Sequence, residues 1–250
     1  MFLKIIFTLL FLLAPATLYA WGPLTHVYLG TEVFYFASLL PAGLYSLLKK
    51  YRQDFLYGNI MADAILAKKY MPQKEHSHNW NTAFDLQRAA ETDSELAFAL
   101  GYSSHLAADT VAHGDFTSGA KNLTHALMEA WVDRSLGGKY WLSALSIKPY
   151  VQKRNDSFLE SVSPESVIFR HSTNRMIFKG MVALTGLNSR LTKPNPASGL
   201  STRYPEIEEL LKESTDRMLD VMRNGYSSEV IGMNPIADLR PSPVMKRLVG

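Results

Sequence analysis

The sequence predicts an all-α protein: a single multi-helix domain spanning residues 21–250, behind a leader removed on export. Three observations lead there. Apolar residues recur at i, i+3 and i+4 in most segments while strand-like alternation is scarce. A 250-residue chain that is 47% hydrophobic can fill one substantial core. No internal repeat or low-complexity stretch divides the chain.

The leader is Met1 to Ala20. It carries Lys4, then an apolar run from Ile5 to Ala14, then Pro15 and a short neutral stretch. Such a run is too short to cross roughly 30 Å of hydrocarbon as a helix, so it reads as an export signal rather than an anchor. Two cleavage points compete. Cutting after Ala16 places Ala14 and Ala16 in a small-x-small pattern but leaves almost no spacer. Cutting after Ala20 gives a normal spacer, with Leu18 larger than the pattern prefers. The second is favoured and makes Trp21 the first mature residue, in a periplasmic or extracellular protein.

Helices are expected near Leu24–Leu39, Gly43–Lys50, Gln53–Lys68, Trp80–Ala90, Asp93–His113, Ser118–Leu136, Pro164–Leu184 and Pro205–Asn224. Pro164 and Pro205 suit a first helical turn, where a missing N–H costs nothing. The stretch Thr192–Tyr204 is a Pro/Gly/Ser loop, and the proline-bearing tail after Gly225 reads as mostly irregular.

Composition closes several routes. The 26 basic and 23 acidic residues are interspersed, with a formal charge of +3 and no block that reads as a nucleic-acid arm, so charge argues neither for nor against an anionic partner. There are no cysteines, which excludes disulfide staples, a lipid-modified cysteine and any thiolate metal site. No Gly-rich phosphate loop and no Gly-x-Ser-x-Gly elbow occurs, and Ser103 and Ser104 beside His105 lack a triad context.

Chemistry concentrates between Trp21 and Glu129, which hold six of the seven histidines. His105, Asp109 and His113 fall at i, i+4 and i+8, continuing an inner stripe that begins with Phe98, Tyr102 and Leu106. His125 and Glu129 repeat the i, i+4 step, sharing a stripe with Met128, Val132 and Leu136. Burying Asp and His costs several kcal/mol unless each is paired or coordinated. A lone His-x-x-x-acid pair is usually an ordinary helix-face pair; two sets continuing core stripes on neighbouring helices point to a metal centre of the His/carboxylate kind, and to a hydrolase. Asp63 is either a helix-face acid or a ligand reaching inward. His78 lies in a loop before Trp80, with His76 as its alternative, and His26 alone could be a surface residue.

In order, these residues resemble the bacterial zinc-dependent phospholipase C group and its relatives, the fungal single-strand nucleases. The resemblance runs from Trp21 to Glu129. WGPLTH is similar to the family's mature start, which implies that the amine and carbonyl of Trp21 bind zinc together with His26. Asp63 corresponds to a bridging-type aspartate, His78 in SHNW to the following histidine, HLAAD to the pair His105 and Asp109, and His113, His125 and Glu129 to the remaining ligands. Three zinc ions are implied: one on Asp63, His78, His105 and Asp109; one on His113, His125 and Glu129; one on Trp21, His26 and Asp109. A hydroxide bridging the closer pair would attack the phosphodiester, with Asp63 as the catalytic residue that orients water. Chelation by the Trp21 amine requires removal of residues 1–20, coupling export to activation.

The departures are specific. Three residues rather than the family's five separate Asp109 from His113. Leu24 and Ala64 stand where a choline-contacting acid and an aromatic are expected, so a choline preference is not carried over. The implied activity is phospholipase C on glycerophospholipids at a membrane surface, with no nucleic acid and no obligate protein partner. The alternatives are a single-strand nuclease or 3′-nucleotidase on the same metals, and a non-catalytic zinc-binding module. Trp80, Trp131 and Trp141 read as core aromatics, His171 as solvated, and Lys49, Lys50, Tyr51 and Arg52 as a solvated basic cluster.

Overall fold

The structure is a computed structural model, and it describes residues 21–63, 78–113, 139–162 and 205–235, together with 132–133, 135–136 and 180. Within these residues the regular structure is all helical: α1 (Pro23–Glu32), α2 (Ala42–Lys50), α3 (Arg52–Met61), α4 (Trp80–Ala89), α5 (Asp93–Val111), α6 (Lys139–Leu145), α7 (Pro149–Val162) and α8 (Pro205–Asn224). Short 3₁₀ turns follow at Ala37–Leu39, Gly225–Ser227 and Glu229–Gly232. No described helix is long and apolar enough to cross a membrane.

α5 is the axis of the bundle. Its start is fixed by Thr92, whose hydroxyl accepts from the Glu95 N–H while the Glu95 carboxylate accepts from the Thr92 N–H. From Ala97 to Val111 every residue is buried, because α3, α4 and α8 all pack around it. The crossing of α3 over α5 is backbone-on-backbone. A Cβ at Gly58 would lie 2.0 Å from the Phe98 carbonyl oxygen, and one at Gly101 would lie 2.0 Å from that of Phe55. Only glycine lets the two helices meet so closely.

α3 is held from its other side by α7. The Asp54 carboxylate, nearly buried, takes Arg154 in a bidentate pair and Asn155 at 2.7 Å, and the Tyr57 hydroxyl donates to Asp156 at 2.6 Å. α8 shows the amphipathic pattern plainly. Ile207, Leu211, Met218 and Met222 face inward, Lys212 and Asp216 pair at i, i+4 on its outer side, and Arg217 pairs with Glu213 while donating to Thr110 of α5.

Several sequence expectations need correction. α1 stops at Glu32 instead of Leu39: the chain turns through residues 33–36 and leaves Tyr35, Phe36 and Leu39 exposed. Apolar spacing alone cannot distinguish such a run from a continuing core stripe. α6 and α7 were not anticipated. α7 opens on Pro149 at a first helical position, and its inward face carries Gln152, Asn155 and Asp156, which dilute the apolar period. The tail after Gly225 is more regular than expected, with two 3₁₀ turns. The expected helix Pro164–Leu184 and the loop Thr192–Tyr204 lie outside the described residues, except for helical Gly180.

Candidate metal centre

Four elements deliver side chains to one buried point. His26 comes from α1, Asp63 from the turn after α3, His78 from the residue pair leading into α4, and His105 and Asp109 from successive turns of α5. Asp63 is fixed just beyond the end of α3 by its N–H donating to the Ile60 carbonyl at 3.2 Å. Asn79 caps α4 by accepting from the Asn81 N–H, which sets His78 immediately outside the helix. All five side chains are at most 2% exposed.

Their atoms converge. One ligand atom each from Asp63, His78, His105 and Asp109 lies within 4.8 Å of the other three. Oδ2 of Asp109 is 2.9 Å from Nε2 of His78 and 3.1 Å from Nε2 of His105, and these two nitrogens are 3.0 Å apart. Oδ1 of Asp63 faces the same nitrogens at 3.3 and 3.7 Å. On the other side of the carboxylate, Oδ1 of Asp109 lies 3.1 Å from Nε2 of His26, which also approaches Oδ2 of Asp63 at 3.8 Å. The His26 ring stacks on His105 with centroids 3.8 Å apart.

The tautomer of His105 follows from its neighbour. Its Nδ1 lies 3.0 Å from the Asn59 carbonyl oxygen, which can only accept, so Nδ1 carries the proton and the Nε2 lone pair of the neutral ring faces the cluster. A backbone carbonyl orienting a histidine in this way is the usual outer support of a metal ligand. The reach from α3 to α5 depends on the glycine crossing described above.

The donor set fits a divalent cation. Both carboxylate oxygens of Asp109 and both ring nitrogens of His26 are buried without a hydrogen bond of good geometry. Leaving such groups unsatisfied is costly, whereas imidazole and carboxylate together are what zinc accepts. Burial pushes the His26 ring below its ordinary pKa, and the neighbouring His105 adds to this, which favours the neutral form that can donate a lone pair. For Asp109, burial pushes the carboxyl up, but attraction to and hydrogen bonding with the adjoining His105 and His26 rings outweigh it and hold the group well below the usual carboxylate range. Tyr102 is fully buried, and burial followed by the charge of Asp63 pushes its phenol up and keeps it protonated.

The remaining candidates are placed unevenly. Trp21 is wholly buried, and its indole N–H donates to the Ser214 hydroxyl of α8 at 3.0 Å. His113 is buried one turn beyond Asp109, where α5 ends in a π-type turn at 112–113 with the Ala112 N–H shared between Ala108 and Asp109; it is not among the four converging residues. His125 and Glu129 lie outside the described residues, as does His76. Two residues went unnoticed in the sequence. Asn59 acts through its main chain and leaves no side-chain signal. Asp133 accepts hydrogen bonds at the start of α1 and stands four residues after Glu129, where extending the His125–Glu129 step would have found it. Burial pushes the Asp133 carboxyl up to about 6, against the hydrogen bonds from Thr25 and Leu24.

A family model for zinc-dependent phospholipase C matches residues 25–170. No curated protein and no solved structure matches the chain. The matched span holds His26, Asp63, His78, His105 and Asp109, the same residues that converge on the buried point. The chain therefore belongs to the zinc-dependent phospholipase C family, and it is a phosphodiester hydrolase.

Proposed function

We propose that this enzyme is an exported phospholipase C that cleaves glycerophospholipids at a membrane surface into diacylglycerol and a phosphorylated headgroup, with three zinc ions. In this reading Asp63, His78, His105 and Asp109 hold one ion, His113, His125 and Glu129 a second, and Trp21, His26 and Asp109 a third. One observation carries it: the two oxygens of Asp109 face different partners, Oδ2 toward His78 and His105 and Oδ1 toward His26. A carboxylate divided in this way is suited to bridging two cations. Zinc, when bound, supplies a water whose pKa is lowered toward about 7 and a Lewis acid for the phosphoryl oxygens.

The chain's own residues do the rest. His105 keeps its Nε2 aimed inward because Nδ1 is committed to the Asn59 carbonyl. Asp63 spreads Oδ1 toward His78 and His105 and Oδ2 toward His26, and is the group proposed to orient the attacking water. Buried Tyr102 and Leu106, on the same helix as His105, keep bulk water from the back of the centre. A lipid partner is supported by the exposed Tyr35, Phe36 and Leu39 after α1, and separately by Lys49 and Lys50 closing α2, since exposed apolar side chains and amines each suit a headgroup region.

The test uses the processed, zinc-loaded protein on phospholipid vesicles and, in parallel, on single-stranded DNA and 3′-nucleotides. Diacylglycerol and phosphorylated headgroup from the vesicles, with three zinc equivalents per chain, are expected. Nucleotide or phosphate release with the lipid left intact replaces the lipase reading with the nuclease one.

A further inference from the structure

α4 and α5 cap themselves, with Asn79 and Thr92 standing one residue ahead of each helix. α1 does not. Gly22 at its boundary has no side chain to offer, and Pro23 fills the first turn. The cap is borrowed from Asp133, far along the chain. Its Oδ1 accepts from the Thr25 N–H at 2.8 Å and the Thr25 hydroxyl at 2.7 Å, and its Oδ2 accepts from the Leu24 N–H at 3.1 Å. The same carboxylate is seated against Gly22, where a Cβ would fall 2.4 Å from Asp133 Cγ. From the opposite side Ser214 holds the Trp21 indole. The segment from Trp21 to His26 is thus gripped at both ends of its first two residues, and one of the grips is a carboxylate that is itself 2% exposed.

The structure assigns to Asp133 the role of positioning residue for the mature N-terminus: it docks Trp21 and Gly22 so that the Trp21 amine and His26 are presented together toward Asp109. A buried acid is a costly way to end a helix when a local Ser, Thr or Asn would serve. Its placement makes sense where the first residues must be held in one orientation rather than merely packed. A carboxylate accepts from all three donors at once and is favoured by the helix dipole. This role rests on the reading of Trp21 as a zinc donor.

The experiment takes the processed protein beginning at Trp21 and loads it with zinc alone. It measures zinc equivalents per chain, and the rate at which an acylating reagent labels the N-terminal amine with and without zinc. In the wild type, zinc protects the amine. Asp133→Asn leaves an amide N–H₂ facing the Leu24 N–H or the Thr25 donors. It is expected to lose one zinc equivalent and the protection, while keeping its helical circular dichroism and its remaining zinc. Gly22→Ala covers the case in which that variant fails to fold. It keeps the carboxylate but pushes it aside with a methyl, and the same loss is expected. A Gly22→Ala/Asp133→Asn double variant should lose no more than either change alone. Full zinc content and an amine as protected as the wild type's, in both single variants, overturn the assignment. A wild-type amine labelled equally fast with and without zinc removes the Trp21 reading itself, and this role with it.

Discussion

Asp109 illustrates how much chemistry one side chain can hold when its two oxygens are not equivalent. Asn at this position keeps the shape and loses the charge, leaving His26 on one side and His78 and His105 on the other with no shared anion between them. Several kcal/mol of charge stabilisation at about 1.4 kcal/mol per tenfold gives a loss on the order of 10²–10³-fold in kcat/KM for Asp109→Asn, together with lower zinc content in the purified protein. Wild-type turnover in that variant would remove Asp109 from the centre. His105 and Asp109 were legible in the sequence because an i, i+4 step on a buried stripe is a local pattern. The choice between His78 and His76 was open because two histidines in a loop carry no period to separate them. The Asn59 carbonyl was invisible for a different reason: every residue has one, and only the crossing of two helices decides which of them meets a histidine.

At the level of helices, the centre depends on how closely α3 approaches α5. Ala at position 101 would drive its methyl into the Phe55 carbonyl, a backbone atom that cannot rotate away. The helices must separate, at a cost of about 1–3 kcal/mol for overpacking of this kind, which corresponds to a fall in Tm of roughly 2–12 °C in a protein of this size. The same separation lengthens the His105–Asn59 contact, so Gly101→Ala should also bind zinc more weakly than the wild type. Gly43 is the control. It sits in α2 with nothing within 4 Å of a built Cβ, and Gly43→Ala should leave Tm unchanged or slightly raised. Thermal scans of both variants with and without zinc check the pair; an unaltered Tm in Gly101→Ala would contradict the close crossing. α2, α4 and α8 fall within a residue of their expected bounds because caps, prolines and apolar period agree there. α7 was missed since its polar inner face answers Asp54 and Tyr57 on α3, a long-range match that a window of neighbouring residues does not contain.

For the whole molecule, the core is built around charge. His26, Asp63, His78, His105 and Asp109 occupy ground that apolar side chains hold in an ordinary helical bundle. A bound cation is what makes that arrangement favourable, so removing it should be felt as lost stability as well as lost activity. Binding at a thousandfold excess over Kd contributes about 4 kcal/mol per site. Stripping zinc with a chelator at neutral pH should therefore lower Tm by roughly 10 °C or more, and returning zinc should restore it. A melting curve indifferent to chelation would mean that the buried acids and histidines satisfy one another without a metal. The all-helical class, and His105 and Asp109 among the converging residues, could be read from local periodicity, whereas Asp63, His78 and His26 came only through the family resemblance. The grip of Asp133 and Ser214 on the first residues could not, because it joins positions more than a hundred residues apart.

The bond between Trp21 and Ser214 has a bearing on the order of events during folding. It joins positions 193 residues apart, so Trp21 reaches its resting place only after α8 has emerged. Closing so large a loop is entropically demanding and slow. The ion proposed to sit on Trp21 should accordingly be gained late, and a nascent chain still lacking α8 would carry the histidines without the means to seat the residue in front of them.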